Sequence, residues 1–572
     1  MNKSGKLLPA FFCVSIMMDI FLVGGLYIYK SYNLSKKADY PFPLGSNVCI
    51  LLASCFLIWL FFRFLRTPLL SNADIFKKTK VLLPLSIIPA AAVFIYLVMI
   101  SDHDNNTHPT GTVTKPNVII ITMDTTRYDH LSCYGYPKKT TPNLDKFAKE
   151  SLLFENAFSA SSWTLPSHAS IFTGLYPSKH GANIGSGSLI LDDKHVTLAE
   201  ILNQNGYSTA GFIGGYFCSS YFGIDQGFDF YDEHLINLAA EMNSFALTKT
   251  VYHLLKMKND IFEIKGLLGR RIATQINRSA LKWLTNNSHS PFFMFINYFD
   301  PHHPYLPLGS SEIIAPVELE IKKNNYWDWE NKLVKDILKK QHTLQHDEKE
   351  FLLRRYDGEI EQMDTAMGEL FQLLKDKKQW DNSLIIVTSD HGESFGEHGL
   401  MIHTPAIYEE LVRVPLIAKY PLAQHKTGRR TTRISAVDIM PEVLSIIGIS
   451  APKDIQGSPF SQKKQPVIVE RFKNKDFDWT AFPPGKRAMK AIYDGDYKLI
   501  WSSNKKHELY NLKEDPLELN NLLIQMPEKF LKMEKMLSRL VDLTIEDDNS
   551  REQTYESSRE TEEALKALGY IQ

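Results

Sequence analysis

Val118-Ile119-Ile120-Ile121-Thr122, running through Met123 into Asp124, is the stretch on which the fold turns. Consecutive β-branched apolar residues suit a strand covered on both faces, because a strand with one wet face alternates polar and apolar positions. Leu384-Ile385-Ile386-Val387-Thr388 repeats the pattern and leads through Ser389 into Asp390-His391. Ile360, Met363, Met367, Leu370 and Leu374 recur at helical spacing with charges opposite them, which is the signature of an amphipathic helix. Strands alternating with such helices predict an α/β domain with a mostly parallel central sheet flanked by helices. Ligands of such sheets gather beyond the carboxyl ends of the strands. Asp124, Asp390 and His391 occupy that edge.

Outside these strands the pattern is simpler. Leu235 to Asn287 is helical in pattern, and the charged stretch from Glu318 to Lys349 reads as helix and loop; both are coverings without a chemical motif. Val467-Ile468-Val469 and Lys498-Leu499-Ile500-Trp501 read as strands of a smaller C-terminal subdomain, followed by a charged helical tail to about Leu568.

Three apolar stretches precede residue 105, approximately Leu8 to Tyr29, Val48 to Leu65 and Val81 to Ile100. Each is near the roughly 20 residues that a helix needs to cross a bilayer. The first lacks the small-residue cleavage site of a secretory leader and is too long for one. Three transmembrane helices are therefore expected, with Asp19 turned toward protein. Lys3 and Lys6 before the first span, and Arg63, Arg66, Lys77, Lys78 and Lys80 between the second and third, mark the cytoplasmic side,. An odd number of spans then places everything after Ile100 outside, periplasmic or extracellular. The expected organisation is a membrane anchor over 1–104, a linker over 105–115, a catalytic domain over 116–465 and a C-terminal subdomain with its tail over 466–572.

Among the 572 residues, 64 Lys and Arg balance 65 Asp and Glu, for a formal net charge of -1. No global field draws the protein to nucleic acid, so a charged substrate must be held locally. The five cysteines do not make a disulfide framework or a thiolate zinc site, although Cys133 and Cys218 leave room for one bridge,.

Two carboxylates and an imidazole suit a divalent ion such as Mn, Mg, Ca or Zn. Ser161-Ser162-Trp163-Thr164-Leu165-Pro166-Ser167-His168 leads into an expected N-capped helix closed by Gly174,. Thr164 sits at its start, where free N–H groups and the helix dipole favour an anion. A threonine there, beside a cation, is placed to attack a bound phosphate or sulfate group. The plainer alternative makes Thr164 only the helix cap.

The run from Pro116-Asn117-Val118 through Asp124-Thr125-Thr126-Arg127 to Leu131, with Tyr134-Gly135-Tyr136 and Thr141-Pro142-Asn143-Leu144-Asp145, resembles the opening of the sulfatase family. The likeness continues through Thr164-Leu165-Pro166-Ser167-His168, Thr173-Gly174-Leu175-Tyr176-Pro177, Asp300-Pro301-His302-His303-Pro304-Tyr305 and Ser389-Asp390-His391-Gly392-Glu393 to His403. It closes at Asp494-Gly495-Asp496-Tyr497-Lys498-Leu499 and Glu508-Leu509-Tyr510-Asn511-Leu512. This resemblance implies an alkaline phosphatase/sulfatase-like fold. It also implies Asp124, Asp390, His391 and Thr164 as metal ligands, and Thr164 as nucleophile. His302 and His403 then act as catalytic groups about the substrate anion, and Arg127 and His168 as substrate contacts. Sulfatases proper carry at the Thr164 position a Cys or Ser that is oxidised to formylglycine, and an Arg at the His168 position. Threonine nucleophiles resemble instead the phosphoethanolamine transferases, the phosphoglycerol transferases and the nucleotide phosphodiesterases of the same superfamily. Thr125 stands where many sulfatases have another metal-binding Asp, and His391 replaces a common Asn.

The expected function is a membrane-anchored, metal-dependent hydrolase of anionic phosphate or sulfate esters, working through a covalent Thr164 intermediate. One alternative is a transferase that modifies a lipid or glycan headgroup; another is a non-catalytic binding protein on the same fold. The orientation is testable: a reporter fused after Gln572 is expected to be active only outside the cytoplasm. Activity of a cytoplasm-only reporter at that junction would overturn it.

Overall fold

The computed structural model describes residues 115–183, 189–233, 270–287, 291–307, 326–403, 406–424, 426–462, 466–473 and 487–543. The chain divides into two compact units, Met1–Thr112 and Val113–Gln572. The three apolar N-terminal stretches and the tail beyond residue 543 lie outside the described residues. Among the described residues no helix is long and apolar enough to cross a membrane.

The main sheet is built from β1 (Asn117–Met123), β2 (Leu152–Phe158), β3 (Ser208–Ile213), β4 (Phe230–Asp232), β5 (Phe292–Tyr298) and β6 (Ser383–Thr388). A hairpin of β7 (Ser394–Phe395) and β8 (Met401–Ile402) follows, then β9 (Arg413–Lys419), β10 (Gly428–Arg430) and β11 (Ile434–Ser435). Its order is β10-β2-β9-β6-β1-β5-β3-β4, with β11 also on β2. All pairings are parallel except those of β9, which runs antiparallel to both β2 and β6. The two strands read from sequence lie side by side at the centre, Val118 opposite Leu384 and Thr122 opposite Thr388. Every residue of β1, β5 and β6 is buried, which is why they carry unbroken apolar runs rather than alternation.

Helices cover the sheet. Ile360, Met363, Met367, Leu370 and Leu374 are all buried along the helix His346–Asp376. In the stretch from Leu235 to Asn287 the described helix is Ala273–Asn286. The charged stretch from Glu318 holds the helix Tyr326–Leu338 and the first turn of His346–Asp376. Cys133 and Cys218 are both free, so the bridge between them is not formed.

The C-terminal strands form a separate antiparallel sheet: β12 (Ile468–Arg471), β13 (Met489–Asp494), β14 (Tyr497–Ser502) and β15 (Glu508–Asn511). Helix Pro527–Ser538 lays Met533 and Leu537 on Ile468, Ile492, Leu499 and Leu509, and the same cluster takes in Ala160, Tyr176 and Val437. The small sheet thus shares a core with the loops around the large one. Lys498 of β14, fully buried, joins them electrostatically: its Nζ lies 3.0 Å from Glu409 Oε1 and 2.8 Å from Glu518 Oε1. Removing one partner of a buried pair leaves uncompensated charge, at a cost of about 3–5 kcal/mol. Lys498→Ala is accordingly expected to destabilise the domain by about that amount, read from denaturant unfolding. An unchanged midpoint would show that the network does not hold the small sheet.

Candidate active site

Asp124 is the first residue past β1, and Asp390 and His391 follow one residue after β6. Because these strands are parallel neighbours in register, their carboxyl ends deliver all three side chains to one edge. The turns are pinned to one another. Thr125 N donates to Asp390 Oδ1 (3.2 Å), Thr126 N donates to Ser389 Oγ (3.0 Å), and Thr125 Oγ1 donates to the Pro301 carbonyl (2.9 Å). Thr125 has φ +53°, a left-handed conformation uncommon for a β-branched residue and typical of functional sites.

Ligand atoms of Asp124, Asp390 and His391 lie within 4.8 Å of one another, and all three residues are buried. Among the described residues Asp124 Oδ1 and Asp390 Oδ2 have no hydrogen-bond partner, which is costly for ionised groups removed from water. Burial and the Asp390 charge push the Asp124 carboxyl well above the usual carboxylate range; a divalent cation would reverse that penalty. His391 Nδ1–H donates to the Gly392 carbonyl at 3.0 Å, so Nε2 keeps its lone pair. That atom sits 3.3 Å from Asp390 Oδ2 and 3.4 Å from Thr164 Oγ1. Burial holds the His391 imidazole down to about 4, against a smaller upward pull from Asp390. At neutral pH it is an uncharged donor. Two orphaned carboxylate oxygens and one free imidazole nitrogen fit a divalent ion.

Thr164 opens the fully buried helix Thr164–Thr173, which Gly174 closes at φ +67°. The expected side-chain cap is absent: the cap position belongs to Trp163, in extended conformation, and its indole has no oxygen to offer,. Thr164 is the first helical residue, so its hydroxyl is not spent on the helix. Pro166 supplies no N–H, so the Thr164 and Leu165 amides are those left at the helix start,.

His168 and Arg127, expected as substrate contacts, have other partners. His168 is wholly buried; its Nδ1–H donates to the Thr164 carbonyl (2.9 Å) and its Nε2 accepts from Thr122 Oγ1 (3.0 Å). With both nitrogens engaged it ties the helix start to β1. Arg127 grips Asp129 with two nitrogens, at 2.9 and 2.8 Å, and reaches Glu397 Oε1 and the Glu393 carbonyl, both at 3.1 Å. It is a clamp between loops. His302 and His403 do come to the edge: their ring centroids are 4.8 Å apart, and His403 is 4.6 Å from His391. His302 Nδ1 lies 2.6 Å from the His303 carbonyl, to which it donates, and burial with the neighbouring His403 holds its pKa well below the ordinary histidine value.

Two residues of this edge were missed by the motif reading. Asn297 of β5 donates to Asp124 Oδ2 at 3.4 Å and to Thr122 Oγ1 at 3.3 Å; an Asn inside an apolar strand was the available signal. Glu393 accepts from His403 Nδ1 at 3.1 Å, and its place in the quoted motif was the signal. In a second cluster of His398, Glu410 and Glu518, Glu518 pairs with Lys498 at 2.8 Å.

This sheet and edge define an ester hydrolase of the alkaline phosphatase superfamily. The family model "Sulfatase" matches residues 116–449 and "N-sulphoglucosamine sulphohydrolase, C-terminal" matches 396–546; the chain belongs to the sulfatase family. It is 26% identical to the uncharacterized sulfatase YidJ of Escherichia coli (strain K12), covering 72% of this chain and 83% of that one. It is 26% identical to an N-acetylglucosamine-6-O-sulfatase of Bacteroides thetaiotaomicron, covering 75% and 86%. Its fold is similar to that of the phosphonate monoester hydrolase of Agrobacterium radiobacter, with TM-score 0.57 and 20% identity over 74% of this chain and 95% of that one.

The donor set is testable apart from turnover. Asp390→Ala is expected to lower the affinity for Mn2+ by at least about 10-fold, since even outer partners of ligands contribute about 10–100-fold, measured by equilibrium dialysis. An unchanged affinity would remove Asp390 from the set.

Proposed function

We propose that the chain is a membrane-anchored hydrolase of sulfate or phosphate esters that uses Thr164 as its nucleophile and works with its catalytic domain outside the cytoplasm. The observation carrying this reading is the Thr164 hydroxyl, free of capping duty and 3.4 Å from the donor nitrogen of His391. Asp124, Asp390, His391 and Thr164 would hold a divalent ion. When bound, such an ion withdraws charge from the ester oxygens and eases loss of the threonine proton.

As the Thr164 hydroxyl gives its proton to solvent water, its Oγ attacks the sulfur or phosphorus, the bond to the leaving oxygen breaks, and a threonine ester forms. His302 or His403 gives the leaving oxygen its proton. The Thr164 and Leu165 amides at the helix start stabilise charge on the tetrahedral group. A threonine cannot be oxidised to formylglycine, so the ester cannot collapse to an aldehyde and must be opened by water, which gives its proton to the same imidazole. The relatives named above bear on the ester class: one acts on a sulfated amino sugar and one on phosphonate monoesters. The three apolar stretches before residue 105 favour a second reading, in which a lipid or glycan hydroxyl replaces water and the enzyme is a transferase.

Thr164→Ala is expected to fold normally and lose turnover by at least roughly 10³-fold, the scale on which nucleophile deletions act; Thr164→Ser should retain measurable activity. Mass spectrometry of quenched wild-type protein should find the added group on the Thr164 peptide. Wild-type turnover in a folded Thr164→Ala protein would sink the assignment.

A further inference from the structure

Glu393 and His403 are ten residues apart in sequence and face each other because of a hairpin. Strand β7 pairs with β8 through Ser394 opposite Ile402 and Phe395 opposite Met401, and continuing that register by one step sets Glu393 opposite His403. The turn that closes the hairpin uses Gly396 at φ +92° and Gly399 at φ +69°. Ile402, immediately before His403, lies at φ +57°. A β-branched residue in that region is strained, and here the strain accompanies the swing of His403 toward the edge, beside His302 and His391.

At the other end Glu393 is fixed by its neighbour. A Cβ on Gly392 would run into the Glu410 carbonyl, so the backbone passes where only glycine fits, and Gly392 N donates to the Leu411 carbonyl at 2.8 Å. The Glu393 carboxylate is fully buried. Its Oε1 accepts from His403 Nδ1 at 3.1 Å, and its Oε2 has no hydrogen-bond partner among the described residues. A buried carboxylate with a single polar partner is expensive, and helix, sheet and turn formation make no use of it. Among the described residues its directed contact is with His403 Nδ1.

We propose that Glu393 is a positioning residue that fixes the His403 ring, in tautomer and in rotation, so that Nε2 is the nitrogen presented to the leaving-group oxygen. This rests on the reading of the edge as an ester-cleaving site, and it assigns the proton-handling role to His403 rather than His302. His302 has its Nδ1 on a backbone carbonyl, an acceptor without charge. His403 is backed by the Glu393 carboxylate, the arrangement that orients an imidazole and fixes its tautomer.

The experiment compares two sulfate esters, 4-nitrophenyl sulfate with a good leaving group and a primary alkyl sulfate with a poor one, on wild type, Glu393→Ala, Glu393→Gln and Thr164→Ala; where wild type cleaves phosphodiesters instead, the matching aryl and alkyl pair is used. A badly oriented proton donor matters only when the leaving oxygen needs the proton. Glu393→Ala is expected to lose on the order of 10²-fold in kcat on the alkyl ester and less than about 3-fold on the aryl ester, with Mn2+ affinity unchanged. Glu393→Gln, which keeps an acceptor for Nδ1–H, should recover most of the alkyl activity. Equal losses on both esters, or no loss on either, would overturn the proposal. An independent arm reads the ring itself: in protein carrying 15N-histidine, the His403 signals, identified with His403→Asn, should show Nδ1 protonated in wild type and a changed tautomer balance in Glu393→Ala. No change there also overturns it. Failure of the parent reading looks different, since Thr164→Ala would then keep wild-type turnover whatever the tautomer signals show.

Discussion

Asp124 and Asp390 are held in a dry strand edge, each with one carboxylate oxygen that meets no donor among the described residues. The rest of the site is arranged to keep them there. Asn297 supports one from β5, and the Thr125 amide supports the other from the end of β1. Two like charges at this separation repel, and burial removes the water that would screen them. The parallel pairing of β1 with β6 makes the approach unavoidable, since both strands end at the same level. A sheet of this kind stores electrostatic strain at a place where a cation would relieve it.

Backbone strain sits beside the electrostatic strain. Thr125 and Ile402, both β-branched, take left-handed conformations, each next to a side chain of the edge. Each such residue costs of order 1–3 kcal/mol and persists because its surroundings over-determine it. For Thr125 the surroundings are visible: its amide, hydroxyl and carbonyl meet Asp390, Pro301 and Tyr356 respectively. The hydroxyl therefore binds the loop that carries His302.

The sequence made the central strands, their helical cover and the identity of the edge residues readable, because burial on both faces and strand-end placement leave a local pattern. Thr164 was legible as a helix start, but its freedom from capping was not: that depends on Trp163, whose extended backbone takes the cap position. Arg127 and His168 have partners that position in the sequence does not reveal. Each side chain found a partner distant in sequence, Glu397 for one and Thr122 for the other, and no local pattern reports such pairings. Glu393 was hidden for the same reason, since its meaning lies in a hairpin register ten residues long.

Replacing the arginine expected at position 168 by a buried neutral histidine changes the charge balance of the edge. Burial keeps the His168 imidazole below its ordinary pKa, and Arg127 spends its charge on Asp129 and Glu397. Under the proposed mechanism the compensation for a substrate anion then falls on the divalent ion and the helix-start amides, while the orientation of His403 rests on Glu393. A threonine ester that must be opened by water asks for a proton to move twice through the same point, and a ring held from behind by a buried carboxylate returns to the same orientation after each transfer. The carboxylate therefore makes most sense in an enzyme without the aldehyde exit, where the imidazole is needed again before the cycle can close.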